Sequence, residues 1–105
     1  MKKFILITSL SALYITLNAQ TKAPADIQAL LSKNNCVTCH KVDKKAVGPS
    51  WADIAAKKYT AKRFTELVYK PEPANWPGYT PMLGLPKVPK TDLTKISKWV
   101  ETLSK

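Results

Sequence analysis

Apolar residues recur at intervals of three and four along most of the chain, and no stretch alternates between apolar and polar positions over a useful length. Intervals of three and four place side chains on one face of an α-helix. The predicted helices run over residues 25–34, 50–57 and 61–69, and from Thr91 or Asp92 towards the C-terminus. Their inward-facing residues would be Ile27, Leu30, Leu31, Trp51, Ile54, Ala55, Phe64, Leu67, Val68, Leu93, Ile96, Val100 and Leu103. The pattern therefore predicts an all-α fold with three to four helices in one small domain.

Residues with suitable backbone preferences stand at the predicted helix ends. Pro24 is tolerated in the first turn of a helix, and Thr60 is a good N-cap. Asn34 and Asn35 accept the left-handed conformation that ends many helices. Lys70 precedes a proline, which disfavours helical geometry and predicts the end of the third helix there.

Residues 71–89 hold six of the eight prolines and two of the three glycines of the chain. Proline lacks a backbone donor, so this segment cannot be a regular helix or a central strand. Its aromatic and apolar residues are Trp76, Tyr79, Met82, Leu83 and Leu85. These side chains favour an ordered loop over a disordered one. A long ordered loop in so small a domain indicates a functional role.

The first 19 residues have the pattern of a secretory signal peptide. Lys2 and Lys3 precede an apolar run of about 14 residues, which is too short to span a bilayer comfortably. Cleavage after Ala19 would leave residues 20–105 as the folded domain, and no cysteine lies near the cut to carry a lipid anchor. We therefore expect a periplasmic protein with no stable membrane span after cleavage. The alternative is an uncleaved N-terminal helix.

Positive charge dominates the composition, with 17 basic and seven acidic residues and a formal net charge of +10. Removal of the first 19 residues takes away two lysines and leaves a net charge of about +8. No nucleic-acid-binding motif accompanies this charge, so we expect no nucleic-acid partner. A domain of this size buries a modest apolar core, so a disulfide, a metal or a large cofactor would help to stabilise it.

The chain has two cysteines and one histidine, and all three fall within the five residues Cys36-Val37-Thr38-Cys39-His40. The pattern Cys-x-x-Cys-His is typical of c-type haem attachment. Two thiols three residues apart in a helical turn share one face and can form thioether bonds with both haem vinyl groups. His40, the next residue, can bind the iron from one side of the ring. The motif therefore predicts one covalent haem c, with its iron, in each chain.

Other uses of the motif explain it less well. A Cys36–Cys39 disulfide closes a very small ring, constrains the unfolded chain little, and leaves His40 without a role. A thioredoxin-like redox site needs a βαβ context, which the sequence lacks. A zinc site needs four ligands, and the chain offers no second histidine and no third cysteine.

Met82 is the one methionine of the predicted mature chain, and it lies in the proline-rich segment. A single methionine often only fills space in a core. Met82 lies between Pro81 and Leu83, where no helix face needs filling, which favours a second role as the sixth ligand of the iron. Prolines around it would reduce the entropy lost in holding the thioether against the metal.

The sequence resembles the small bacterial class I c-type cytochromes of the c-551/c-552 type. The resemblance covers residues 24–103, and it rests on the haem motif, Val47-Gly48-Pro49, Trp76 ahead of Met82, and Lys98-Trp99-Val100. Two departures are Asn35, where a glycine is usual, and the sequence after Met82, where a proline is common.

The resemblance implies roles for three further residues. The Pro49 carbonyl would accept a hydrogen bond from the non-ligating nitrogen of His40, and Trp76 would approach a haem propionate with its indole N–H. Trp99 would pack near Leu31 where the first and last helices cross. The alternatives are that Pro49 is a turn residue and that Trp76 is a core aromatic.

An iron with histidine and methionine ligands has no vacant position for a substrate, so we expect an electron carrier and not an enzyme. It would be a monomer that shuttles electrons between respiratory-chain components and a terminal reductase, oxidase or peroxidase. Positive charge around the haem would attract acidic redox partners. The basic residues concerned are Lys41, Lys44, Lys45, Lys57, Lys58, Lys62, Arg63, Lys70, Lys87, Lys90, Lys95 and Lys98. The alternatives are a haem-based gas sensor with an open sixth position and a haem subunit of a larger periplasmic oxidoreductase.

Overall fold

The computed structural model describes residues 22–104, so the predicted signal peptide, residues 1–19, lies outside the described part. Four α-helices are present: α1 (Ala25–Lys33), α2 (Trp51–Ala56), α3 (Ala61–Tyr69) and α4 (Lys90–Glu101). Two short 3-10 helices cover Cys36–Thr38 and Pro73–Asn75. Residues 22–104 contain no strand, so the predicted all-α fold is confirmed. In the same residues no helix is both long and apolar enough to cross a membrane.

The ends of α1 follow the predicted residue preferences closely. Pro24 precedes the helix, and Asn34 follows its last residue, one position earlier than predicted. The Leu30 carbonyl accepts from both the backbone amide of Asn34 at 3.1 Å and its side-chain amide at 2.9 Å, which holds Asn34 at the helix end. Asn35 adopts the left-handed conformation with φ +60°. Asparagine therefore stands in for the usual glycine at this position because its short polar side chain tolerates this region of backbone space.

The later helices begin at residues of three different kinds. Ser50, predicted as the first residue of α2, is its N-cap, and its Oγ accepts from the Asp53 amide at 3.0 Å. Thr60 caps α3 as predicted, accepting from the Arg63 amide at 3.1 Å. The prediction that Thr91 or Asp92 opens α4 is wrong by one or two residues, because α4 begins at Lys90 after Pro89. Proline fixes φ near the helical value and so prepares the chain for the helix without a side-chain cap.

The core forms around α4, which packs against α1, α2 and α3. Leu93 and Ile96 on α4 are each only 1% exposed, so they lie at its centre. Leu31 of α1 and Trp99 of α4 both belong to the buried core cluster. Truncation of a fully buried leucine or isoleucine to alanine costs about 2–5 kcal/mol in the free energy of unfolding, so substitutions at Leu93 or Ile96 should be strongly destabilising.

The proline-rich segment is ordered but irregular, as predicted. The sequence Trp76-Pro77-Gly78-Tyr79 forms a turn in which the Tyr79 amide donates to the Trp76 carbonyl at 3.3 Å. Gly78 has φ +87°, so the turn has the type II geometry that favours proline and then glycine at its two central positions. Further along, the Leu85 amide donates to the Val68 carbonyl at 2.9 Å and so attaches the segment to the end of α3.

Candidate functional site

A cavity of about 520 Å³ lies between the haem motif, the residues after it, the helices and the proline-rich segment. All six residues assigned to the site from the sequence line it: Cys36, Cys39, His40, Pro49, Trp76 and Met82. They are spread over 47 positions of sequence, and the fold brings them to one place. Most of the remaining lining is aliphatic or aromatic, including Leu93 and Ile96 from the centre of the core. The cavity is thus an apolar space with a few polar groups along its walls, which is typical of a cofactor site.

The two cysteines are presented by the 3-10 turn that follows α1. The left-handed conformation of Asn35 turns the chain out of α1 and into this turn. The amides of Cys39 and His40 then donate to the Cys36 carbonyl at 3.3 and 3.0 Å. This compact turn is why both thiols, each half-buried and free, face the cavity. Burial, and to a smaller extent the neighbouring Cys39, raises the pKa of the Cys36 thiol.

His40 is held by a backbone carbonyl. Its Nδ1 atom lies 2.7 Å from the carbonyl oxygen of Pro49. A carbonyl oxygen can only accept, so Nδ1 carries the proton and Nε2 keeps its lone pair for a metal. Burial lowers the pKa of His40, although the hydrogen bond to Pro49 opposes this shift. The imidazole is therefore favoured in the neutral state that a metal ligand requires.

Gly48 and Trp51 confine the same imidazole ring. A Cβ atom on Gly48 would lie 2.7 Å from Cε1 of His40 and 3.0 Å from its Nδ1. The Trp51 ring lies 4.6 Å from the His40 ring, centroid to centroid, at an interplanar angle of 35°. The sequence prediction missed both roles: Trp51 was assigned to the core, and Gly48 only to a matching motif. Its position immediately before Pro49 was the one signal that could have identified Gly48.

Met82 and Trp76 lie on the proline-rich side of the cavity. Met82 is 37% exposed, and its neighbour Leu83 is 83% exposed. Trp76 is half-buried, and its ring meets the Tyr79 ring edge-on, with 6.1 Å between the centroids. The indole of Trp76 therefore sits at the cavity wall and outside the buried core cluster, although it packs against that cluster.

The residues present fit a haem. One neutral imidazole and one thioether on the walls of an apolar cavity are too few ligands to hold a bare metal ion, but they suit an iron whose macrocycle supplies four nitrogens. Among residues 22–104, no group of three or more His, Cys, Asp or Glu side chains could hold a metal ion. The described residues thus give no support to the alternative of a zinc site. Two thiols at the spacing for the vinyl groups complete the fit.

Positive charge is spread over the surface of the described residues. Among the described residues, ion pairs join Lys33 to Asp92 and Arg63 to Glu66 and Glu72. Besides Lys33, the exposed lysines among the described residues are Lys22, Lys41, Lys44, Lys45, Lys57, Lys58, Lys62, Lys70, Lys87, Lys90, Lys95 and Lys98. Three of the seven acidic residues thus pair with only two cations, so most of the excess charge faces solvent.

Comparisons with known proteins identify one matching family and relatives whose names agree with it. The cytochrome c family model matches residues 24–104. The chain is 38% identical over 96 residues to cytochrome c-552 of Nitrosomonas europaea, an alignment that covers 89% of this chain and 88% of the relative. It is 32% identical over 88 residues to cytochrome c-551 of Allochromatium vinosum, covering 78% and 93% of the two chains. With cytochrome c-551 of Pseudomonas denitrificans the identity is 36% over 81 residues, covering 72% and 95%.

Proposed function

The chain belongs to the cytochrome c family and carries covalently bound haem c, and from this premise we propose that it is a periplasmic electron carrier with His40 and Met82 as its axial iron ligands. The observation that carries the proposal is the single cavity lined by Cys36, Cys39, His40 and Met82. When bound, the haem supplies the one-electron Fe(III)/Fe(II) couple. The protein supplies the attachment points, the axial ligands and the environment of the ring.

Each protein group in the cavity has a distinct task. Cys36 and Cys39 fix the ring covalently, so the cofactor cannot dissociate during turnover. The Pro49 carbonyl orients His40 and strengthens it as a ligand, because its hydrogen bond to Nδ1–H makes Nε2 more basic. The apolar residues around the cavity exclude water and so favour the less charged, reduced state of the iron.

Met82 would complete the ligand set from the proline-rich side. A thioether is a soft ligand that stabilises Fe(II) over Fe(III) and so raises the reduction potential. With both axial positions filled by protein, no position remains for a substrate. This supports a carrier and not an enzyme.

The charge and the N-terminal sequence support the proposed location and class of partner. Lys2, Lys3 and the apolar run after them support export, and the described residues carry no membrane-spanning helix. The exposed lysines support acidic redox proteins as electron donors or acceptors, because complementary potentials speed encounter. We infer a monomer that exchanges electrons within the respiratory chain.

The alternative is a haem-based gas sensor, in which Met82 would not bind and the sixth position would be open. The two functions differ in the resting state of the iron, which an absorption spectrum reports.

The test is to record the absorption spectrum of the purified haem protein in both oxidation states, with and without carbon monoxide. The carrier is supported by the long-wavelength absorption band of methionine bound to ferric haem, together with a ferrous spectrum that carbon monoxide leaves unchanged at neutral pH. A missing band and ready binding of carbon monoxide would instead establish the sensor.

A further inference from the structure

The turn Trp76-Pro77-Gly78-Tyr79 presents two aromatic rings close to the edge of the haem cavity. The rings of Trp76 and Tyr79 meet edge to face at an interplanar angle of 89°. The turn geometry fixes their relative position, because proline restricts one central residue and Gly78 alone can easily adopt the positive φ of the other. Two rings held in this way form a rigid platform on a segment that otherwise lacks regular structure.

Two lysines from other parts of the chain lie against this platform. The Lys57 Nζ atom, at the C-terminal end of α2, lies 4.8 Å from the centroid of the Trp76 ring. The Lys45 Nζ atom, from the loop after His40, lies 4.6 Å from the centroid of the Tyr79 ring. Both distances are within the range of a cation–π interaction. Each ring of the turn therefore contacts one ammonium group. Both lysines come from the part of the chain between His40 and α3.

The residues that follow the turn have little support of their own. None of the hydrogen bonds found among residues 22–104 involves residues 80 to 84. The next attachment is the bond from the Leu85 amide to the Val68 carbonyl. Met82 is thus at the middle of a short bridge, with the aromatic turn at one end and Leu85 at the other.

We propose that Lys45 and Lys57 act through the rings of Tyr79 and Trp76 as a cation–π clamp that positions Met82 at the haem iron. This inference rests on the proposed His40 and Met82 ligand pair. Without the clamp, the flexible bridge would extend back through the turn to Trp76, which packs against the buried core cluster. A longer flexible segment loses more entropy when Met82 binds, so release of the methionine becomes more frequent.

The test is the affinity of the ferric haem protein for imidazole, followed by the loss of the methionine–iron absorption band. Imidazole binds only when Met82 has left, so its apparent affinity rises in proportion to the population of the released state. We expect Lys45→Met and Lys57→Met each to raise that affinity about 2- to 5-fold, the range for an exposed cation–π contact. The double variant should raise it on the order of tenfold, if the two contacts add.

Matched variants distinguish the effect of losing the cation–π contact from the effect of losing one positive charge. Lys62→Met removes one exposed lysine elsewhere and should leave imidazole affinity unchanged, whereas Lys45→Arg and Lys57→Arg should restore the wild-type value. Tyr79→Phe keeps the ring and should behave as wild type. Tyr79→Leu should raise the affinity by itself and add less in the Lys45→Met background than in wild type, because there only its contact with Trp76 is still lost.

Each outcome decides between the two proposals. If wild type already binds imidazole as tightly as Met82→Ala, Met82 is not a ligand, and the ligand pair and the clamp fail together. If wild type resists imidazole but the Lys45 and Lys57 variants match Lys62→Met, the ligand pair stands and the clamp is wrong. Retention of native helix content by circular dichroism confirms that each variant is folded.

Discussion

Gly48 lies so close to His40 that a methyl group in place of its hydrogen would fall 2.7 Å from the Cε1 atom of the imidazole. The ring cannot move away easily, because its Nδ1 is hydrogen-bonded to the Pro49 carbonyl and the centroid of the Trp51 ring lies 4.6 Å from its own. Three residues of one short segment, Gly48, Pro49 and Trp51, therefore fix the plane of the one imidazole in the chain. This precision suits a group whose lone pair must point at a metal.

Substitution of Gly48 by alanine should accordingly disturb the histidine–iron bond. We expect a loss of about 1–3 kcal/mol in the free energy of unfolding, as for other overpacked sites, and a changed reduction potential. The measurements are guanidinium denaturation and equilibrium redox titration of the haem protein. Ala29→Val is the control: it adds methyl groups at an exposed position of α1 that does not line the cavity, so it should leave the potential unchanged. Equal potentials for wild type and Gly48→Ala would show that the ring tolerates the added methyl group.

The helices and the haem motif were predictable because both are local in sequence. Intervals of three and four give the helical faces, and the reactive groups of the motif lie within five consecutive residues. Errors at the helix ends were small, such as the start of α4 after Pro89, because caps compete over one or two positions.

Contacts between distant segments were not predictable from the pattern. The Trp51 ring faces both His40 and Trp99, yet its helical spacing indicated only a core position. The lysine–aromatic contacts join residues 34 and 19 positions apart, and any of many exposed lysines could have made them. Such pairs depend on how the helices and loops pack, which a single sequence does not specify.

Asp92 should make the free energy of unfolding depend on pH in the acidic range. Its Oδ2 accepts hydrogen bonds from Asn34 at 3.3 Å and Lys33 at 3.2 Å, and so joins the end of α1 to the start of α4. The Asn34 bond first, and then Lys33, lower the pKa of Asp92 from its ordinary value of 3.8. A lowered carboxyl pKa gives stability that is present above the unfolded value and is lost as the pH falls through the folded one.

Asp92→Asn should thus lower the denaturation midpoint at neutral pH, and the difference from wild type should shrink as the pH falls below about 4. Guanidinium titrations across this range measure it. Glu101→Gln, at the far end of α4, removes an equal charge and should show no such convergence. If the difference in denaturation midpoint between wild type and Asp92→Asn stayed constant down to the lowest pH, Asp92 would act through its shape and not through its charge.

The covalent attachment predicts a simple chemical test of Cys36 and Cys39. Replacement of both by serine should release the haem into acidified acetone, whereas wild type should keep it, because thioether bonds do not dissociate. Single replacements should keep one bond, and with it most of the haem. The measurement is haem absorbance in the extract and in the protein pellet. Wild-type protein that is purified colourless, with a Cys36–Cys39 disulfide, would contradict the assignment of the motif.

The positive surface predicts opposite salt effects with oppositely charged reagents. Electron transfer with an anionic inorganic complex should slow as ionic strength rises, because screening becomes strong once the Debye length falls to about 8 Å at 0.15 M salt. With a cationic complex of similar potential, the same salt should speed the reaction. Stopped-flow rates over a range of salt concentrations measure both effects. Rates that are indifferent to salt for both reagents would leave the lysines as solubilising residues only.

Replacement of Met82 by alanine tests the ligand set most directly. The haem should stay attached, since Cys36, Cys39 and His40 remain, but water or an added ligand would take the place of the thioether. A harder ligand favours Fe(III), so the reduction potential should fall by more than about 60 mV, which is a tenfold change in equilibrium constant for a one-electron couple. Leu83→Ala, which truncates the more exposed neighbour, should change neither the potential nor the spectrum. The Met82 variant alone should bind carbon monoxide when ferrous; if Met82→Ala and Leu83→Ala behave alike, Met82 is not a ligand and the iron is open in the native protein.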